Sequence, residues 1–232
     1  MCRMLAAAGN LDLKRLLAGA VCMAKDENER HERNAAEVWR HDGGWGIAYL
    51  QDGEWQIYRS VKPIFEDNLS KFDGVKTSVA IIHARKVTKG EIALKNTHPF
   101  SKRDYVFCHN GTVFDNISFS QDFKVKGNTD SEQIFYSLLT DHKDEMSSTI
   151  RNNMKKYKDF TGINIILANP KKTFVSIHHN ECPLYYTMKM LKSKDAVVIS
   201  SEKLPQLEGE WQEISMGKIV EIDNEKLDVM VV

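Results

Sequence analysis

A thiol one residue from the start of the chain offers an unusual piece of chemistry. In MCRMLAAAG, Cys2 becomes the first residue once Met1 is removed, with a thiol and a free α-amine on one residue. A thiol of pKa ~8.5 is a weak nucleophile at neutral pH until a base takes its proton, and an α-amine of pKa ~7.7–8.0 can be that base. The competing account is packing: free cysteine is commonly buried, and Cys2 opens an apolar run that suits a buried strand. Three polar clusters stand at the boundaries of apolar elements: His83-Ala84-Arg85, His109-Asn110-Gly111 and Thr129-Asp130. Side chains fixed at the ends of rigid elements are where sites are built. Each cluster also has a structural account. Arg85 suits a surface ion pair, Asn110-Gly111 a hairpin turn and Asp130 a helix cap.

The elements that must position these residues follow from periodicity. CRMLAAAG is a short apolar strand ending at a Gly-Asn turn, and LDLKRLLAGAVCMAKDE carries Leu13, Leu16, Leu17, Ala20, Val21 and Ala24 at helical spacing. The polar stretch over 25–42 predicts a loop with one helical turn, mobile where exposed and a candidate lid. GWGIAYL and EWQIYRS, separated by QDG, predict a hairpin. PIFEDNLSKF predicts a short helix starting at Pro63. TSVAIIHAR predicts a buried strand with an exposed end, and DYVFCHNGTV a strand followed by His109-Asn110-Gly111. NTDSEQIFYSLLTD predicts a helix capped by Thr129 or Asp130, and EMSSTIRNNMKKYKD a second one. From Gly162 onward INIILANP, TFVSIHH, LYYTMK, AVVISSE, WQEIS, GKIVEID and LDVMVV all predict strands. Short connections favour antiparallel pairing, and strand-rich halves around grouped helices predict an α+β layered fold in one domain.

Composition limits the function classes. The chain has 232 residues with 32 Lys+Arg against 32 Asp+Glu, and this balance shows no basic bias that would suggest a nucleic-acid or membrane partner. No apolar run approaches the ~18 residues of a membrane helix, and the start has no signal-peptide pattern, so the expected location is cytoplasmic. Cys2, Cys22, Cys108 and Cys182 form no CxxC pair, so disulfides are not expected. His178 and His179 are adjacent and would point to opposite faces of a strand, which argues against a metal site with Cys182.

In order along the chain stand Cys2, GWG at 44–46, HAR at 83–85 with NTHPF at 96–100, HNGTV at 109–113, TDSE at 129–132 and SSE at 200–202. Trp211 and GKIVEI follow. This ordered set resembles the glutaminase domain of class II glutamine amidotransferases, which are N-terminal-nucleophile hydrolases. The resemblance runs over nearly the whole chain. It implies a four-layer αββα sandwich of two antiparallel sheets flanked by helices, one type-2 domain over 1–232, and no cofactor or metal. It implies that Cys2 attacks the side-chain amide of glutamine, with the Asn110 side-chain amide and the Gly111 backbone N–H facing the oxyanion. By residue type and by resemblance, Arg85 takes the α-carboxylate of the substrate and Asp130 its α-ammonium. His98 is expected in the active-site loop, Trp45 beneath the site, and Glu202 as support from a later strand.

Three functions remain open at this point. The chain is a glutaminase subunit passing ammonia to a separate synthase, or a free-standing hydrolase of a γ-glutamyl compound, or a non-catalytic regulatory protein on the same fold. The opening MCR resembles stand-alone members of the family.

Overall fold

The computed structural model describes residues 1–143 and 145–232. In chain order the elements are strand β1 (Cys2–Gly9), helix α1 (Leu13–Lys25), β2 (Trp45–Gln51), β3 (Glu54–Ser60), β4 (Val79–Arg85), β5 (Phe100–Lys102) and β6 (Tyr105–Val113). Helices α2 (Asp130–Asp141) and α3 (Met146–Met154) follow, then β7 (Phe160–Ala168), β8 (Lys172–Ser176), the short α4 (Pro183–Tyr186) and β9 (Met188–Lys192). The chain continues through β10 (Ala196–Ser200), β11 (Trp211–Ile214), β12 (Ile219–Asp223) and β13 (Val229–Val231). One sheet runs in the order β11-β9-β10-β1-β4-β2-β3 and the other β13-β12-β8-β7-β6-β5, and every pairing is antiparallel.

Strand periodicity explains the layers. Met4, Ala6 and Ala8 of β1 turn toward the second sheet and pack there with Val106, Cys108, Ile166 and Val175. Leu5 and Ala7 turn the other way, onto Leu13, Leu16, Leu17 and Ala20 of α1. On the outer face of the second sheet, Ile163, Ile165 and Phe107 meet Ile134, Phe135, Leu138 and Ile150 of α2 and α3. The result is the expected αββα sandwich. Because β1 is central and covered on both faces, its sequence is a continuous apolar run rather than an alternation. Helix α1 begins where the Asp12 carboxylate accepts from the Arg15 N–H, and it ends at Asp26 in the left-handed conformation.

Five local expectations change. PIFEDNLSKF forms two 3-10 turns rather than one helix, because Asp67 is extended and its carboxylate accepts from Trp45, Tyr58 and Asn68. LYYTMK is split: the Pro183–Tyr186 part is helical, and only the part from Met188 is strand. The end of β4 is buried, Arg85 included. His109-Asn110-Gly111 lie inside β6, where an irregularity between Gly111 and Val113 replaces the anticipated turn. The segment 25–42 is pinned rather than loose. The Glu32 carboxylate accepts from the backbone N–H groups of Leu184 and Tyr185, Glu29 pairs with Lys189, and His31 caps the turn at Glu32–Asn34.

Candidate active site

Antiparallel register sets the geometry around Cys2. Cys2 lies opposite Arg85 and Met4 opposite His83, so Cys2, His83 and Arg85 share the face of the first sheet that looks into the sandwich. Asn110 lies on β6 two residues beyond Cys108, on the face that looks back. The Cys2 backbone N–H donates to Asn110 Oδ1 at 2.5 Å, which orients the amide and leaves its Nδ2 buried without a partner. An unpartnered buried donor costs ~1–3 kcal/mol, so its presence asks for an acceptor supplied from elsewhere.

Gly111 follows at φ +147°, and a Cβ there would sit 1.6 Å from the Gly162 carbonyl oxygen. Only glycine can bring β6 this close to β7 and leave the strand in this conformation. Asp130, at the start of α2, accepts from the Val113 N–H at 2.7 Å and so ties the helix N-terminus to the end of β6. The Arg85 guanidinium donates to the carbonyls of Lys89 (2.8 Å) and Glu91 (2.9 Å), and Cys2 and Asp130 are its acidic neighbours. The structure therefore brings Cys2, Arg85, Asn110, Gly111 and Asp130 together. His98 is adjacent: its ring lies 4.1 Å from that of His83.

Met1 occupies the space in front of Cys2. Its ammonium donates to the Lys86 carbonyl (2.9 Å) and to Thr88 Oγ1 (3.3 Å), and its side chain packs on Tyr185 and Tyr186 beside Trp39 and Cys182. Open clefts exist elsewhere. One of about 690 Å³, lined by Gly9, Asn10, Leu50 and Thr77, lies at the opposite end of β1 from Cys2.

The electrostatics favour a thiolate. Burial pushes the Cys2 thiol up, but the His83 imidazole, the Met1 ammonium and the Lys86 N–H outweigh it and hold the thiol at about 6. Cys108, buried on the facing inner side of the second sheet, is pushed well above the usual thiol range by burial and by Cys2 itself. Burial also lowers His98, and neighbouring His83, His109 and Arg85 add to that effect.

Tyr185, His41 and Arg3, which motif matching did not single out, hold this arrangement. Tyr185 donates its hydroxyl to the Cys2 carbonyl at 3.1 Å and lies 3.0 Å from His41 Nε2. Arg3, on the opposite face of β1, donates to the Tyr185 carbonyl, lies over the Tyr185 ring and pairs with Glu202 at 2.8 Å, both side chains buried. Glu202 thus supports the site through Arg3 and Tyr185. Trp45 packs on the outer face of the first sheet, behind Cys2, and donates to Asp67. His83 stands within the quoted HAR motif, and its period-two spacing from Arg85 is the signal that both share a face. No group of three or more His, Cys, Asp or Glu side chains able to hold a metal ion occurs among the described residues.

The two-sheet αββα sandwich has a cysteine opening its central strand. The profile described as glutamine amidotransferases class-II matches residues 1–191, and the chain belongs to that family. YafJ of Escherichia coli, named as a glutamine amidotransferase, is 32% identical over 107 residues, covering 43% of this chain and 42% of its own. A Haemophilus influenzae protein of the same description is 29% identical over 184 residues, 69% of this chain and 60% of its own. The chain therefore spans less than two thirds of the curated relatives it matches. Among solved structures, a glutamine aminotransferase class-II domain protein from Silicibacter pomeroyi superposes with a TM-score of 0.65 at 19% identity, over 100% of this chain and 98% of that one. Glutamine phosphoribosylpyrophosphate amidotransferase from B. subtilis gives 0.71 at 14% identity, over 99% of this chain and 49% of that one. At such identities these two likenesses speak to the fold. No helix among the described residues is long and apolar enough to cross a membrane.

Proposed function

We propose that the protein, once Met1 is removed, hydrolyses the side-chain amide of glutamine through Cys2, within one domain over 1–232, and releases ammonia for a separate synthase. Cys2 Sγ attacks the amide carbon, and the carbonyl π pair moves onto oxygen. Asn110 Nδ2 and the Gly111 N–H donate to that oxyanion; losing one such donor typically costs ~10²–10³ in rate. The C–N bond breaks, ammonia departs with the proton from the thiol, and water hydrolyses the γ-glutamyl thioester. The Cys2 α-amine, on the carbon next to the one that bears the thiol, is the acceptor for the thiol proton. Arg85 and Asp130 bind the carboxylate and ammonium of the amino-acid end, and His98 backs the site. The observation that carries this proposal is Asn110: its Oδ1 holds the Cys2 nitrogen while its buried Nδ2 stands unpartnered beside the nucleophile.

The test is intact mass and peptide mapping after incubation with a diazo-ketone analogue of glutamine, alongside ammonia release from glutamine. A Met1-free chain with a single adduct on Cys2, and turnover that Cys2→Ala abolishes, is the expected result. A Met1-free, folded protein with neither adduct nor turnover overturns the proposal for glutamine.

A second reading is favoured by the aromatic wall that Met1 covers. Trp39, Tyr185 and Tyr186 would face the leaving group of an N-substituted γ-glutamyl amide. Faster turnover of γ-glutamyl alkyl- or arylamides than of glutamine selects it.

A further inference from the structure

Two segments near the site open with the same pair of residues, Asn96-Thr97 before His98 and Asn128-Thr129 before Asp130. Neither asparagine belongs to the machinery placed around Cys2. Asn96 is fully buried on the connection from β4 to β5, and Asn128 is exposed just ahead of α2. Asn96 Oδ1 accepts from the Asn128 backbone N–H at 3.0 Å. That N–H can only donate, so it fixes which end of the amide is oxygen. The Nδ2 end then donates to Asn128 Oδ1 at 2.8 Å and to the Glu91 carbonyl at 3.0 Å. The same Glu91 carbonyl accepts from Arg85 at 2.9 Å. A continuous chain of hydrogen bonds therefore runs from the Arg85 guanidinium through Glu91 and Asn96 to Asn128, close before Asp130. Gly90 makes room for it: a Cβ there would lie 2.5 Å from Asn128 Oδ1, at φ +76°. The Thr129 side chain forms no cap hydrogen bond, so the entry to α2 is held by this chain and by Asp130 on the Val113 N–H rather than by an N-cap side chain.

We propose that Asn96 is a positioning residue that sets Arg85 against Asp130, and so makes the site selective for the L configuration at the α-carbon of the substrate. The proposal rests on Arg85 and Asp130 binding the carboxylate and the ammonium of the amino-acid end. Those two groups sit on one carbon, so their separation is fixed and short. Two charged partners meet both only at a matching separation, and the side chain bearing the amide must then point at Cys2. In the mirror-image molecule the same two pairings turn that side chain away from the thiol. Arg85 comes from β4 in the first sheet, whereas Asp130 opens α2, which packs on the outer face of the second sheet. No single element fixes the distance between them. The Asn96–Asn128 pair bridges the two directly, with two hydrogen bonds exchanged between the residues. The Lys89 and Glu91 carbonyls hold the guanidinium from one side and leave its remaining N–H groups for a carboxylate.

The experiment is titration calorimetry of L-glutamate and of D-glutamate, the amino-acid product and its mirror image, with the Met1-free protein. The proteins compared are the wild type, Asn96→Ala, Asn128→Ala and Asn128→Asp. The wild type is expected to bind the L form more tightly. Asn96→Ala removes the bonds to Asn128 and to Glu91 and is expected to lower the ratio of the two affinities about tenfold or more, the worth of one displaced hydrogen bond to a charged group. Asn128→Ala removes one acceptor and keeps the backbone donor, so it is expected to lose part of the ratio. Asn128→Asp keeps an acceptor for Asn96 Nδ2 and is expected to keep the wild-type ratio. A smaller folded fraction weakens both ligands equally, so a merely structural role leaves the ratio unmoved. In glutamine turnover Asn96→Ala should raise KM with kcat little changed. A wild-type ratio in folded Asn96→Ala overturns the proposal. Should that variant not fold, a wild-type ratio in Asn128→Ala, at an exposed position, overturns it instead. The readings fail separately. Absence of any L preference in the wild type removes the pairing of Arg85 and Asp130 with the amino-acid end, and Asn96 with it. An L preference without ammonia release from glutamine removes the glutaminase assignment alone.

Discussion

Asn110→Ala separates what the site needs for chemistry from what the fold needs for stability. In the folded protein Asn110 is buried, its Oδ1 accepts from the Cys2 N–H at 2.5 Å, and its Nδ2 has no partner. Removing the side chain loses one hydrogen bond, about 1 kcal/mol net, and strands the Cys2 N–H. It also removes an unsatisfied donor whose burial costs ~1–3 kcal/mol. The two effects oppose each other, so the expected change in unfolding free energy is within about 1 kcal/mol of zero. In turnover nothing opposes the loss. One oxyanion donor goes, and kcat should fall ~10²–10³-fold, about 2.7–4 kcal/mol. The assay is ammonia release from glutamine beside urea denaturation of the same preparation. Asn110→Asp is the companion variant: it keeps the acceptor for Cys2 and loses the donor, so it should be as inactive as the alanine. A folded Asn110→Ala or Asn110→Asp enzyme within tenfold of wild-type kcat refutes the assignment.

Gly111→Ala forces a Cβ to 1.6 Å from the Gly162 carbonyl at φ +147°; soluble expression and thermal melting should show a loss of several kcal/mol, and a wild-type melting curve refutes the steric argument. Glu202→Gln leaves the Arg3 guanidinium, 1% exposed, without its counter-charge, and should cost about 3–5 kcal/mol by denaturation. Replacing both with Met and Leu should cost far less, and equal losses would deny the pairing. Below about pH 6.5 stability should fall with acid. Burial, then neighbouring positive groups, hold His41 and His98 well below 6.5 in the fold, so only the unfolded chain takes up their protons there. Each contributes a slope of about 1.4 kcal/mol per pH unit, absent above about pH 6.5. His98→Gln should remove one such increment between about pH 6.5 and about pH 5.5, and an unchanged slope would contradict its neutral burial.

Much of the scaffold is legible in the sequence because burial writes itself into pattern. TSVAIIHAR is apolar without alternation because β4 is covered on both faces, and QDG between aromatic-rich runs marks the β2–β3 turn. The failures have specific causes. Asn110-Gly111 carries turn chemistry, yet the permissive glycine is spent on close approach to β7 within a continuing strand. Tyr185 and Tyr186 have strand-forming side chains, but Pro183 starts a helical turn, and contacts with Arg3 and Met1 fix both rings. Cys2, Arg85, Asn110 and Asp130 could be named from motif order. The neighbour relation of Cys2 and His83 could not, since it follows from a strand register that no short motif encodes. Glu202 and Arg3 are distant in sequence, and only β10 pairing beside β1 brings their side chains together.

The position of Met1 has a consequence for when the N-terminus can be processed. Once β1 sits between β4 and β10, Met1 is 7% exposed with its ammonium hydrogen-bonded, and an aminopeptidase has nothing to grip. The partner strands end at residues 85 and 200. At ~5–20 residues per second the ribosome needs roughly ten to forty seconds to deliver the second of them. Over that interval the first residues have no complete sheet to enter. The long sequence separation that slows folding of this topology therefore orders two events: removal of Met1, which the proposed function requires, has to come before β10 docks beside β1.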